Sequence, residues 1–204
     1  MINRRGTLFV VSAPSGAGKT TLCREVRDRV PGLAYSISVT TRAPRPGEID
    51  GADFRFVTET EFRAMLARDE FAEWAIVHGN SYGTRARPVE DALARGQDVL
   101  LDIDTQGAAK LRARYPEAVL VFIVAPSMAD LEQRLRERRS DGEAEIARRL
   151  RRARDEVALW RMYDYLIVNQ DVKDALEQLA AIIQAERCRI TRLSLKLPDL
   201  EVPE

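Results

Sequence analysis

The stretch from Thr7 to Thr20, TLFVVSAPSGAGKT, constrains this chain more than any other. A short apolar run passes into a turn carrying Gly16 and Gly18, then into Lys19-Thr20 and a helical pattern. Strand, glycine turn and helix in that order make a phosphate cradle. Glycines let backbone N–H groups face an anion, and the helix N-terminus adds its dipole. Lys19 is then placed to reach the β- and γ-phosphates of a nucleotide, and Thr20 to offer a hydroxyl to Mg²⁺. The strict pattern opens on glycine where this chain has Ala13, a small residue that still suits the exit from a strand.

At 204 residues the chain has room for one well-buried α/β domain with an inserted subdomain. Its 32 basic and 32 acidic residues cancel, so no long-range field draws it to nucleic acid or to an anionic membrane. Only Lys19, Lys110, Lys173 and Lys196 are lysines, and the other basic residues are all arginine. A lysine at the one place phosphate chemistry wants it therefore weighs more than any single arginine. Cys23 and Cys188 lie far apart, and His78 is the sole histidine. A disulfide framework, a zinc site and a Ser-His or Cys-His nucleophile are all disfavoured. The apolar run after Asn3-Arg4-Arg5 is too short for a signal peptide, and the longest one, Ala118 to Ala125, is under half the roughly 20 residues of a spanning helix. The expectation is an unprocessed, cytoplasmic protein.

Strand-length apolar runs recur at Leu8–Val11, Asp98–Asp102, Val119–Val124 and Tyr165–Val168, each followed by a turn and a helical period. That alternation predicts a parallel sheet covered by helices on both faces. Between Pro31-Gly32 and Asp98 the texture changes. Phe54–Val57 and Phe71–Val77 read as strands, with Gly79-Asn80-Ser81 and Gly83 as turn punctuation, which suggests a small mixed or antiparallel insertion. Ser127 to Trp160 reads as two helices broken at Ser140-Asp141-Gly142, rich in both arginine and acid. It is either a solvated, salt-bridged pair or a lid whose arginines turn toward phosphates. A last helix runs from about Val172 to Arg192, and LSLKLPDLEVPE after it reads as a loose tail.

Asp102 stands at the carboxyl end of a buried strand, where open α/β sheets bind ligands, and an acid there holds Mg²⁺ directly or through water in phosphate-loop enzymes. Asp104 begins the next turn and doubles as a helix cap. Arg42 and Arg45 sit in the Pro- and Gly-punctuated loop SVTTRAPRPGEIDG, and two guanidinium groups in a stiff loop suit a second phosphate.

On SAPSGAGKT, TTRAPRPGE, EFAEWAIVHGNSYGT, LDIDTQG and DYLIVN, in that order, the chain strongly resembles the guanylate kinases, from Gly6 to about Arg192. The resemblance implies a three-layer α/β/α P-loop kinase core (1–37, 85–126 and 161–204), a GMP-binding insertion (38–84) and a helical lid (127–160). It implies transfer of phosphate from MgATP to GMP, with dGMP as a further acceptor, and a place in guanine nucleotide supply. Guanine-reading groups fall on Ser38, Glu73, Thr84 and Asp104, and GMP-phosphate groups on Arg42, Arg45 and Tyr82, with Phe54 where the family usually has tyrosine. The ATP side falls on Ala13, Pro14, Ser15, Gly16, Ala17, Gly18, Lys19, Thr20 and Thr21, on Arg134, Arg138 and Arg149, and on Asn169 near adenine. Lys19, Arg42 and the three lid arginines carry the catalytic charge, and Thr20 and Asp102 the Mg²⁺. Guanine chemistry agrees: its N1–H and 2-amino donors call for carboxylates and its O6 for hydroxyls. A sugar-phosphate kinase would not need the guanine readers, and a non-catalytic phosphopeptide-binding module of the same fold would not need Lys19.

Overall fold

The structure, a computed structural model, describes residues 2–77, 79–137 and 142–195. In chain order these form β1 (Ile2–Arg4), β2 (Leu8–Ser12), α1 (Lys19–Arg29), β3 (Leu33–Tyr35), β4 (Val39–Thr40), β5 (Arg55–Phe56), α2 (Glu59–Ala67), β6 (Phe71–Val77), β7 (Asn80–Arg85) and α3 (Ala86–Ala94). They continue as β8 (Asp98–Asp102), α4 (Thr105–Arg114), β9 (Val119–Val124), α5 (Met128–Glu137), α6 (Glu143–Ala158), β10 (Tyr165–Val168), α7 (Val172–Arg187) and β11 (Leu193–Leu195). Arg138 and His78 lie outside the described residues. Among the described residues no helix is long and apolar enough to cross a membrane.

Five parallel strands in the order β10-β9-β2-β8-β3 make the main sheet. Period-2 alternation sends its side chains into two separate cores. Phe9, Val11, Leu100, Val121 and Ile123 pack with Leu22, Val26, Leu179 and Ile183 of α1 and α7. Leu8, Val10, Val99, Leu101 and Leu120 pack with Val89, Leu93, Ala108 and Leu111 of α3 and α4. The central strands are therefore apolar over consecutive positions, Leu8–Val11, Val99–Leu101 and Val119–Val124, because both of their faces are covered, with polar residues only at the ends of β2 and β8. The expected α/β architecture with a parallel sheet is present. A fifth strand, Leu33–Tyr35, went unread because only three residues pair and they carry no apolar run.

A second, mixed sheet has the order β5-β4-β7-β6, with β4 and β5 parallel and the other pairs antiparallel. It keeps its own small core of Val39, Phe62, Met65 and Phe71, with the two phenylalanine rings stacked 4.6 Å apart. Of the residues read from sequence as turn punctuation, Gly79 lies in a turn, whereas Asn80, Ser81 and Gly83 belong to β7. Gly83 is there for close packing, since a Cβ on it would lie 2.6 Å from the Phe71 ring. A bulge between Phe71 and Glu73 resets the alternation of β6, so that Glu73 pairs across the ladder with Thr84.

The tail expectation is corrected in part. Helix α7 ends at Arg187, and Leu193–Leu195 pairs antiparallel with Ile2–Arg4. The physical reason lies just beyond β1. Fully buried Asp98 takes both guanidinium nitrogens of Arg4 (2.5 and 2.9 Å), the Thr7 N–H (2.8 Å) and Arg187 Nε (2.8 Å), tying both chain ends to β8.

Burial works against the Asp98 charge, yet the bonds from Arg4, Thr7 and Arg187 outweigh it and hold the carboxyl below its usual range. The clamp's stabilisation is then complete above the unfolded carboxylate pKa of about 3.9. It disappears as pH falls through the lower folded value. Asp98→Ala should lower the urea-unfolding free energy by about 3 kcal/mol at pH 7, the cost of stranding the partners of a buried charge. Most of that difference should vanish at pH values acid enough to protonate the wild-type clamp.

Candidate active site

All main-sheet strands point their carboxyl ends to one edge, and the site is assembled there. Strand β2 exits through Ala13 to Gly18 into α1, with Gly16 at φ 96° and Gly18 at φ 95°. Both are in the left-handed region that a Cβ would strain. Gly18 caps α1 without any side-chain hydrogen bond, so the first-turn N–H groups are open to an anion. Lys19 Nζ donates to the Ile103 carbonyl at 3.0 Å and is ion-paired with Asp102. Burial opposes its charge, but Asp102 more than offsets this and raises the lysine pKa.

Two clefts meet at this edge. The larger, about 370 Å³, is lined by Ser38, Arg42, Arg45, Phe54, Glu73 and Tyr82 from the insertion side and by Lys19, Thr20, Asp102 and Asp104 from the main sheet. The smaller, about 240 Å³, is lined by Ala13 to Gly16, Gly18 to Thr21 and Arg149. Lys19, Thr20, Val77 and Asp104 border both.

In the larger cleft Arg42 is held by four neighbours. Its Nη2 donates to Glu48 (2.8 Å), its Nε to the Tyr82 hydroxyl (3.2 Å), and its Nη1 to the Ala43 carbonyl (2.7 Å). Its guanidinium also lies 5.3 Å from the centre of the Phe54 ring. Because Arg42 donates to Tyr82, the tyrosine's own proton is left to donate elsewhere. Glu73 is 6% exposed, and its Oε1 accepts from Thr84 Oγ1 at 2.7 Å. Burial lifts the Glu73 pKa, the Thr84 bond works against that, and the charge of Asp104 adds to it. Asp104 caps α4 by accepting from the Gly107 N–H at 2.9 Å. It serves as a cap and lines both clefts at once.

The structure gathers most of the expected residues, but not all in the expected way. Thr84 is fully buried behind Glu73, where it orients the carboxylate instead of facing the cleft. Asn169 is 1% exposed, and its amide donates to the Ala17 carbonyl at 2.7 Å. That leaves the side chain bracing the phosphate loop and not turned toward an adenine. Arg134 borders neither cleft. It donates from α5 to the Asn169 carbonyl at 2.8 Å, holding the residue whose side chain braces the phosphate loop.

Two contributors were missed. Arg152 borders the smaller cleft and bridges Asp104 (3.5 Å) and Glu156 (2.8 Å). It lies one turn from Arg149 and one turn before Glu156, a spacing visible in sequence but diluted in so arginine-rich a helix. Glu48, which fixes Arg42, sat unnoticed inside the quoted loop motif.

The guanylate kinase family model matches residues 5–186. The chain is 51% identical to a guanylate kinase of Geobacter sulfurreducens over 192 residues, covering 94% of this chain and 95% of that one. It is 50% identical to one of Carboxydothermus hydrogenoformans, covering 95% of each. A solved guanylate kinase from Anaplasma phagocytophilum superposes with a TM-score of 0.81 at 33% identity, over 95% of this chain and 92% of that one. The chain belongs to the guanylate kinase family. It is an enzyme, a nucleotide-binding kinase of that class.

Guanylate kinases use ATP with a divalent metal. The residues here fit a hard cation that keeps most of its waters and binds one or two carboxylates plus substrate phosphates. Thr20 supplies a hydroxyl and Asp102 a carboxylate at the border of the larger cleft.

Thr84→Val should leave Glu73 Oε1 without its donor. The expected result is a loss of about 1–3 kcal/mol in stability and a further rise in the Glu73 pKa, read by carboxyl ¹³C titration. An unmoved Glu73 titration would show that Thr84 does not govern that carboxylate.

Proposed function

We propose that this chain transfers the γ-phosphoryl group of MgATP directly to GMP, giving ADP and GDP. The observation that carries the reading is the shared border: Lys19, Thr20 and Asp104 line both clefts, so a donor phosphate in one and an acceptor phosphate in the other meet beside Lys19. In this reading GMP occupies the larger cleft. Ser38, Glu73 and Asp104 face the base, with Thr84 behind Glu73, while Arg42, Arg45 and Tyr82 hold the phosphate. ATP occupies the smaller cleft, its phosphates wrapped by the backbone of Ala13 to Thr21. Thr20 and Asp102 would hold Mg²⁺, which would supply charge neutralisation at the donor phosphates when bound.

A GMP phosphate oxygen attacks Pγ in line, the bond from Pγ to the β–γ bridging oxygen breaks, and that oxygen leaves with ADP. The acceptor is already anionic near neutral pH, so no general base is needed. Catalysis rests on position and charge: Lys19, Arg42 and Arg149 neutralise the transferring group, and Arg134 supports the loop that holds the donor. The segment 127–160 is assigned the lid, whose closure excludes water and suppresses ATP hydrolysis. Residues 38–84 are assigned the acceptor-binding insertion, and the remainder the core. Arg138, assigned to the ATP side by resemblance, falls outside the described residues. dGMP is assigned as a second acceptor, and supply of guanine nucleotides in the cytoplasm as the physiological setting.

AMP presents the wrong donors and acceptors to buried Glu73 and half-buried Asp104, a mismatch worth up to roughly 10⁴–10⁵ in kcat/KM. An ADP-release assay with GMP, dGMP, AMP, CMP and UMP should show turnover with the two guanine nucleotides alone. Comparable rates with a pyrimidine nucleotide would overturn the reading. Lys19→Ala should still bind GMP in calorimetry yet lose most turnover, by about 10²-fold or more. Phe54→Tyr restores a hydroxyl beside Arg42 and Tyr82. It should lower KM for GMP by about tenfold, the value of one hydrogen bond to a charged group; an unchanged KM would show the phosphate already satisfied.

A further inference from the structure

Gly107 is the third residue of α4, and two contacts converge on it. Its N–H donates to Asp104 Oδ1 at 2.9 Å. A Cβ built on it would lie 2.7 Å from Glu73 Oε2 and 3.3 Å from Ile103 Cδ1. The other Glu73 oxygen is fixed by Thr84 Oγ1 at 2.7 Å. The Glu73 carboxylate is therefore seated between a hydroxyl on β7 and the bare Cα of Gly107, with Asp104 anchored to the same residue's amide.

We infer that Gly107 is a specificity-determining positioning residue: its missing side chain sets where the Glu73 carboxylate stands relative to Asp104, and so sets the choice of base. This rests on the reading above, that Glu73 and Asp104 receive the donors of guanine. Gly107 has ordinary helical backbone, since it is not among the glycines with positive φ. Helical backbone favours alanine over glycine, so the fold has no conformational need for glycine here. The atom a methyl group would strike is the far end of a flexible side chain, which gives way more easily than backbone. Alanine at 107 keeps the N–H that Asp104 needs, so Asp104 stays and Glu73 shifts.

Base recognition by hydrogen bonds tolerates little displacement, because donor–acceptor bonds weaken steeply away from their preferred distance and angle. Gly107→Ala should therefore damage recognition of the base without touching the phosphate chemistry. The expected split is a KM for GMP raised about tenfold or more, with kcat and the KM for ATP within about twofold of wild type. Thermal stability should be equal or higher. The preference for GMP over inosine monophosphate, which differs only in lacking the 2-amino group, should shrink by a similar factor. Glu73→Asp in the Gly107→Ala background withdraws the carboxylate by one methylene and should recover part of the lost preference.

The experiment measures KM and kcat for GMP and inosine monophosphate, together with melting temperature, in wild type, Gly107→Ala, Glu73→Gln and Gly107→Ala/Glu73→Asp. If Glu73→Gln loses the preference while Gly107→Ala keeps wild-type KM and preference, the inference on Gly107 is overturned. A marked fall in melting temperature for Gly107→Ala also overturns it, because the fold and not the carboxylate would then be yielding. If Glu73→Gln itself keeps full preference for GMP, what fails is the underlying assignment of the base site, and the Gly107 inference goes with it.

Discussion

Parallel strands place all their carboxyl ends on one side, and that constraint is what the rest of the molecule is built upon. Strand β2 delivers the phosphate loop there, β8 delivers Asp102 and Asp104, and β10 delivers Asn169. The backbone locks these exits together, since the Ile103 N–H donates to the Val11 carbonyl at 3.2 Å and Ser12 Oγ donates to the Asp104 carbonyl at 3.4 Å. Lys19 is then fixed by neighbours on β8 and just beyond it, the Asp102 carboxylate and the Ile103 carbonyl. A lysine so placed, at the end of the phosphate loop, sits between the two clefts because strand order sets β8 beside β2. Antiparallel strands would send alternate ends to the opposite edge and separate the acid from the loop.

Charge at this edge is dense but balanced. Asp102 faces Lys19, Glu48 faces Arg42, and Arg152 lies between Asp104 and Glu156. Glu73 is the exception, with a hydroxyl partner and, among the described residues, no ion pair, and burial raises its pKa. An anion buried beside another anion costs free energy in the folded protein. That cost is consistent with the proposed role, because a ligand that presents two donors to Glu73 and Asp104 relieves it, and a ligand that presents acceptors adds to it. Selectivity of this type comes from what the wrong base leaves unpaired more than from what the right base gains.

Much of this was legible in the sequence where a local rule has one solution. The apolar runs in β2, β8 and β9 read as buried strands because consecutive hydrophobic residues fit a sheet covered on both faces, and the glycines before Lys19 read as an anion turn. Tyr165–Val168 forms the sheet edge, with Leu166 and Val168 exposed. What escaped depends on partners distant in the chain. Leu33–Tyr35 becomes a strand only because β8 offers an edge to pair with. Asn80 to Gly83 carries turn residues and is nevertheless a strand, because β6 and β4 pair with it, and the Phe71 ring leaves room only for glycine at 83. Asn169 is at the expected strand end, yet its direction is fixed by the Ala17 carbonyl, 152 residues away. Thr84 likewise is a hydroxyl near the base site by sequence and a support for Glu73 by geometry. Residue type told which chemistry was present, and packing decided which way each group faced.

Phe54 illustrates how the same logic accommodates a departure from the family's usual residue. The ring contributes to holding Arg42 through its face, 5.3 Å from the guanidinium carbon, and meets Tyr82 edge-on with centroids 6.1 Å apart. A cation over an aromatic face is worth about 0.5–1 kcal/mol at an exposed site and more when water is excluded. A phenolic hydroxyl leaves that face intact, so the positioning of Arg42 does not depend on it. In the proposed reading, what phenylalanine forfeits is a single donor to the acceptor phosphate, while Arg42 and Tyr82, already bonded to each other, keep their places. In the proposed reading, loss of the hydroxyl therefore bears on affinity for the acceptor and leaves the arrangement of the transferring groups alone, because Glu48, Ala43, Tyr82 and the ring face of residue 54 orient the arginine without it.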